Sequence, residues 1–284
     1  MEIINRRQRM ASLTRKLRRE HKTIGFVPTM GALHEGHLSL IQEARQMSDI
    51  VIVSIFVNPT QFNEKEDFKK YPRDLTADAV ILSDYQVDYI FAPDEHEIYG
   101  DNFSTYVYVE NLTETLEGAA RPGHFRGVAT VVTILFNTIR PDFAFFGQKD
   151  AQQIAVIERL TKDLGFDTEI IVAPTIREES GLAMSSRNAR LTSEEKKAAA
   201  IIYEALREAK IAAKNGERNA VKLAEIVREK IESEPLARID YTAVVDKETL
   251  EYIEKVGEKP VLVAVAVRFG AVRLIDNTIL SAKQ

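Results

Sequence analysis

The chain of 284 residues contains no cysteine. That excludes disulfides, thiol nucleophiles and cysteine-ligated zinc or iron–sulfur centres, and it fits a reducing cytoplasm, the expected location. Long apolar runs are missing too: none approaches the ~20 residues that span a bilayer. The longest, at 128–139, is interrupted by Thr130, Thr133, Asn137 and Thr138. The first ten residues are basic but lead into no apolar core of signal-peptide length. A basic excess is absent, and a formal charge of −5 argues against nucleic acids or membrane surfaces as partners. Neither Gly-x-Gly-x-x-Gly nor Gly-x-x-x-x-Gly-Lys-Ser/Thr occurs, which leaves Rossmann-fingerprint dinucleotide binding and Walker-type hydrolysis without support. His-Glu-x-x-His is lacking as well. What remains is an ordinary globular composition, 45% hydrophobic and 29% charged, of a length for one large domain or two.

The stretch at 23–37 organises the rest. Residues 23–27 are β-branched or aromatic around one glycine, which predicts a buried strand. Pro28 cannot donate to a ladder, so the strand is expected to stop there. Gly31 permits a tight turn. Leu38, Ile41 and Ala44, with Leu40 and Met47, then recur at helical spacing. His34 and His37 therefore sit three apart on the first turn of a helix. Such a terminus offers unpaired N–H groups and partial positive charge to a phosphate, and two imidazoles add donors.

Further along, a basic amphipathic helix is expected over 4–20. Strands are expected at 50–57, 87–91, 104–109, 143–146 and 168–172, and helices at 74–85, 111–117, 127–139 and 150–164. Alternation of strand and helix from 23 to about 175 predicts an α/β domain with a mostly parallel sheet, whose ligands bind at the carboxyl ends of the strands. Helices at 194–215 and 220–232, then strands at 240–245, 261–267 and 272–275, predict a smaller α+β domain. The expected division is 1–176 and 177–284.

Four more motifs follow: two at strand ends, one in a loop that leads into a helix and one at the join. Asn58 and Gln61, in Phe56-Val-Asn-Pro-Thr-Gln-Phe62, are amides suited to orienting a polar substrate, although Asn-Pro equally starts a turn. Arg121-Pro-Gly-His-Phe-Arg-Gly127 is a basic loop that either meets an anion or orders the chain. Val131 and Val132 after it are core or the wall of an apolar pocket. In Phe146-Gly-Gln-Lys-Asp-Ala-Gln-Gln153, Gly147 allows close approach and Lys149 supplies a point charge for phosphate; Asp150 caps a helix or meets a ribose or metal ion. Met184-Ser-Ser-Arg-Asn188 offers hydroxyls and a cation that would neutralise a departing pyrophosphate.

Together with Pro28-Thr-Met-Gly-Ala-Leu-His-Glu-Gly-His37 and Tyr71-Pro-Arg73, these motifs closely resemble the pantoate–β-alanine ligase family, in order and over nearly the whole chain. They also resemble, more distantly, the nucleotidyltransferases that include class I aminoacyl-tRNA synthetases. The resemblance implies a Rossmann-like first domain and a second domain that closes over ATP. It implies condensation of pantoate with β-alanine through pantoyl adenylate, releasing pyrophosphate and AMP, with Mg²⁺ accompanying ATP and no dedicated metal site beyond a role for Asp150. By carry-over, Met30, Gly31, Ala32, Leu33, His34, Glu35, Gly36, His37, Gly147, Gln148, Lys149, Asp150, Ile176, Met184, Ser185, Ser186 and Arg187 bind ATP. Gln61, Gln153 and Asn58 hold pantoate or β-alanine, with Val131, Val132 and Phe145 against the apolar part of pantoate. His37, His34, Lys149 and Arg187 are the catalytic candidates. The family implies a homodimer, with 62–72 as a plausible contact. Two rivals stand beside this reading: a nucleotidyltransferase acting on another acid or a phosphate, and a non-catalytic nucleotide-binding regulator.

Overall fold

A computed structural model describes residues 1–63, 68–69 and 71–281. The proposed dimer contact at 62–72 therefore lies partly outside the described residues. The chain forms two compact units, Met1–Gly147 with Val156–Ala173, and Gln148–Ala155 with Pro174–Gln284.

The first unit is a six-stranded sheet, parallel throughout, in the order β1-β4-β3-β2-β5-β6. The strands are β1 (Glu2–Ile4), β2 (Ile24–Thr29), β3 (Ile50–Ile55), β4 (Tyr89–Phe91), β5 (Phe143–Gly147) and β6 (Glu169–Ala173). Its helices are α1 (Arg7–Arg19), α2 (Glu35–Met47), α3 (Leu75–Ser83), α4 (Glu95–Tyr99), α5 (Leu116–Ala120), α6 (His124–Ile139) and α7 (Ala151–Asp163), whose first residues fall to the second unit. The sheet grows outward from β2 to β3 and β4, then resumes on the other side of β2 with β5. The reversal puts a topological switch point beside the end of β2, the place where open α/β sheets bind ligands. The core under it includes Val27, Leu38, Ile41, Val51, Val53, Leu82 and Phe145.

Pro28 lies inside β2 and does not end it, opposite Ser54 on β3. The reason is directional. In a parallel strand the backbone groups of alternate residues face alternate neighbours. The carbonyls of Thr23 and Thr29 are taken by Ile50 and Phe56, towards β3, while that of Ile24 is taken by Asp142, towards β5. Pro28 shares the parity of Ile24, and β5 pairs β2 only at Gly25 and Phe26. The missing N–H therefore points where no ladder remains.

Other differences are local. β1 is an added strand where only the amphipathic helix was expected. Residues 104–109 form no strand; Val107 N–H donates to Thr130 Oγ1 (3.0 Å) and Arg126 stacks on Tyr106, so side chains of α6 hold the segment. The helix expected at 111–117 is α5, starting later. Met47 is exposed, outside the apolar face of α2.

In the second unit, β7 (Ala237–Asp246), β8 (Val261–Phe269) and β9 (Val272–Leu280) form an antiparallel sheet. Helices α8 (Ser193–Ala199), α9 (Ile201–Lys214) and α10 (Ala220–Glu232) supply Ala199, Ile202, Leu206, Leu223 and Val227 to its core with Val263, Val265 and Phe269. The single helix expected at 194–215 is divided at Ala200, where bonds to Lys197 and from Tyr203 tighten the ladder to a three-residue step.

Candidate active site

The turn after β2 is held by a carboxylate that sequence reading did not single out. Asp78, on α3 and 4% exposed, accepts the N–H groups of Ala32 (3.1 Å) and Leu33 (3.0 Å). Gly31 has φ +81°, and a Cβ there would lie 2.7 Å from Asp78 Oδ2. Glycine is thus required both by the turn and by the carboxylate beneath it. The available signal was an acidic residue amid the apolar positions of 75–83. Asp78→Ala should destabilise the fold by about 1–3 kcal/mol, because two partly buried donors lose their acceptor. Urea unfolding measures this; an unchanged midpoint would mean that the turn holds itself.

The turn delivers His34 to the N-cap of α2, where the two histidines form a reciprocal capping box. His34 Nδ1 accepts from Gly36 N–H (3.1 Å), and His37 Nδ1 accepts from His34 N–H (3.3 Å). The rings lie 4.1 Å apart, tilted by 42°. This corrects the expectation of several unpaired backbone donors at the terminus, since the imidazoles themselves satisfy two of them. It also fixes the tautomer: a ring nitrogen that accepts carries no proton, so in the neutral ring Nε2 is the donor. Both side chains are half-buried and Glu35 is exposed.

After β3, the short 3₁₀ turn Pro59–Gln61 carries Gln61, which is 9% exposed. Its orientation is set through Asn58. Thr60 N–H can only donate, so the Asn58 atom facing it at 3.3 Å is Oδ1. That oxygen also accepts from Thr60 Oγ1 (2.9 Å) and from the Tyr99 hydroxyl. Asn58 Nδ2 must then donate to the Gly127 carbonyl (3.2 Å) and to Gln61 Oε1 (2.9 Å). Gln61 is left presenting its NH₂, 3.2 Å from Met30 Sδ. Asn58, expected to touch substrate, has both side-chain polar atoms engaged inside the protein; it aims Gln61. Burial pushes the Tyr99 hydroxyl up to about 12, so it remains a donor. The Gln61 carbonyl is gripped as well, by His124 Nδ1–H (2.8 Å) and Arg121 Nη2 (3.2 Å), with Arg121 Nη1 3.2 Å from His124 Nε2. The basic loop at 121–127 thus orders Gln61. Val131 and Val132 are buried on α6, and Phe145 has no exposed surface, which places its ring in the core of the sheet and not on a pocket wall.

In the second unit, Lys149 and Asp150 lie 3.9 Å apart, the carboxylate half-exposed. Gln148, Gln153, Ile176, Met184, Ser185, Ser186 and Arg187 are all partly exposed. The Ile176 carbonyl accepts from Met184 N–H (2.9 Å), and Ser185 Oγ accepts from Arg187 N–H (3.2 Å), capping the turn Ser186–Arg190.

Residues 2–279 match the pantoate-beta-alanine ligase family. The chain belongs to this family of enzymes. A pantothenate synthetase of Thermosipho africanus is 50% identical over 280 residues, 99% of this chain and 100% of that protein. A pantothenate synthetase structure from Thermus thermophilus superposes with a TM-score of 0.91 at 43% identity, covering 98% of this chain and 99% of that one. A Francisella tularensis pantoate-beta-alanine ligase, solved with beta-gamma ATP and beta-alanine, gives 0.81 at 39% identity, over 98% and 97% of the two chains. Family membership favours the ligase over both rivals. The six-stranded parallel sheet and the separate antiparallel sheet agree with the expected fold class.

Proposed function

We propose that this chain joins pantoate to β-alanine with ATP, by way of pantoyl adenylate. The observation that carries the reading is the pair of Nε2 donors of His34 and His37 at the sheet's switch point, in the same unit as a Gln61 amide whose NH₂ is held on the side of Met30 Sδ. Imidazole donors suit phosphate oxygens. That NH₂ suits an acceptor such as a carboxylate or hydroxyl of pantoate. Gln153 is assigned to pantoate with Gln61, and Val131 and Val132 to the helix behind its apolar part.

In the first step a pantoate carboxylate oxygen bonds to the α-phosphorus and the bond to the bridging oxygen of pyrophosphate breaks. The nucleophile is already an anion, so no base is needed; catalysis is positioning and charge stabilisation. His34, His37, Lys149 and Arg187 are assigned to the charge that builds on the phosphates. In the second step the neutral amine of β-alanine bonds to the acyl carbon, the acyl–oxygen bond breaks, AMP leaves and the amine loses a proton. A divalent cation, Mg²⁺ in this reading, would travel with ATP and neutralise phosphate charge. Such ions keep mainly phosphate and water ligands, and the half-exposed Asp150 carboxylate is the protein group that would complete that set. A cytoplasmic homodimer belongs to the same reading.

Exchange of labelled pyrophosphate into ATP, with pantoate and Mg²⁺ and without β-alanine, tests it. Exchange is expected only with pantoate present. Its absence in protein that binds ATP would overturn the adenylate route.

A further inference from the structure

Two neighbouring residues of β9 hold the two loops of the second unit to which nucleotide contacts are assigned. Neither lies in a motif singled out above. Asn277, 5% exposed, donates through Nδ2 to the carbonyls of Gln148 (2.9 Å) and Lys149 (2.9 Å). Its Oδ1 accepts from Gln148 Nε2 (3.0 Å). All three bonds act on the two residues that open the Gln148–Asp150 turn, and two of them act on backbone. They set where the Lys149 main chain stands without touching its ammonium.

Asp276, 4% exposed, grips the other loop. Its carboxylate receives a two-pronged pair from Arg177, at 2.6 Å and 3.0 Å, and Asn277 N–H at 2.8 Å. Arg177 Nη1 also donates to the Gly181 carbonyl (3.0 Å), and its guanidinium lies 4.4 Å from the centre of the Tyr203 ring. Residues 177 and 183 pair as an antiparallel bridge, and Glu178 N–H donates to Leu182 O (2.8 Å). The hairpin so closed runs straight into Met184, Ser185, Ser186 and Arg187. A planar, two-pronged arginine–carboxylate pair fixes direction as well as distance. Successive side chains leave a strand on opposite faces, so one strand can hold two loops through adjacent residues.

We infer that Asp276 and Asn277 are positioning residues for ATP: they register the Lys149 turn and the hairpin leading to Arg187 on a single strand. The inference rests on the assignment of Lys149 and Arg187 to the nucleotide. Neither residue of β9 is given a contact with substrate; each acts through the loop that it holds.

The test is ATP affinity of the full chain, measured by calorimetry with Mg²⁺ and without pantoate, in a double-mutant cycle. Asn277→Ala should weaken ATP about tenfold, the scale of one to two net hydrogen bonds. In a Lys149→Ala background the same change should cost less than about twofold, because the cation it places is gone. Asn277→Asp keeps the size and sets an oxygen against two carbonyls, so it should be worse than alanine; the Asp276→Asn arm serves if neither variant folds. Asp276→Asn should lose its effect in the same way in an Arg187→Ala background. The KM for pantoate should stay within about twofold throughout. Equal losses with and without Lys149, or unchanged ATP affinity in Asn277→Ala and Asn277→Asp, would reduce Asn277 to a strut and overturn the inference. If Lys149→Ala alone leaves ATP affinity unchanged, the assignment of Lys149 fails, and the inference with it.

Discussion

His37→Ala is expected to lower pantoate-dependent pyrophosphate exchange by ~10²-fold or more, the scale of one preorganised donor lost from a developing charge. The cap that the structure shows for this residue and the role proposed for it in the reaction must be separated. Its Nδ1 caps the backbone N–H of His34, a contribution of about 0.5–2 kcal/mol to stability for a side-chain cap. Its Nε2 is the donor assigned to phosphate. Alanine removes both. Glutamine at the same position reaches back to an N-cap N–H in ordinary capping boxes, so His37→Gln should recover the stability. Urea unfolding and exchange, measured on both variants, divide the roles. A rate restored in full along with the stability would make His37 a cap and nothing more. Near-normal exchange in His37→Ala would remove it from the chemistry.

How much of this is legible in the sequence depends on range. The strands at 24–29 and 50–55 are readable because both faces are covered, so apolar residues run almost without break. The histidine pair is readable because its spacing and its glycine turn are local. Pro28 misleads, since whether its missing N–H matters depends on where β5 stops pairing, far along the chain. The groups that aim the site are hidden for the same reason. Asp78 reaches back to residues 32 and 33, Tyr99 to Asn58, His124 to Gln61 and Asn277 to Gln148. None of these spacings has a period, so only the fold brings the partners together. Motif reading finds the groups assigned to ligands and misses those that hold them. It also places Asn58 with the ligand contacts, because a buried amide that aims another amide looks the same in one dimension.

Gly127→Ala shows how little room that aiming leaves. A Cβ on Gly127 would stand 2.6 Å from the carbonyl carbon and oxygen of Thr60 and 2.8 Å from Gln61 N. These are backbone atoms, with no flexible side chain to swing aside, so either α6 or the turn at 59–61 must move. Overpacking of this kind costs about 1–3 kcal/mol. The helix is pinned by its buried face, including Phe125, Val128, Leu135 and Phe136, whereas the turn is three residues long. The turn should therefore yield and carry Gln61 with it. It would also strain the Asn58 bond to the Gly127 carbonyl and the bonds of His124 and Arg121 to Gln61 O. A misplacement near 1 Å can cost ~10²-fold, so kcat/KM for pantoate should fall by about that factor, and ATP affinity far less. Gly147 is the control, because a Cβ there meets no protein atom within 4 Å. Gly147→Ala should leave unfolding unchanged and alter only what approaches its backbone from outside. Wild-type use of pantoate by a folded Gly127→Ala protein would mean that Gln61 does not hold the acid, and the pantoate reading of the 59–61 turn would fall.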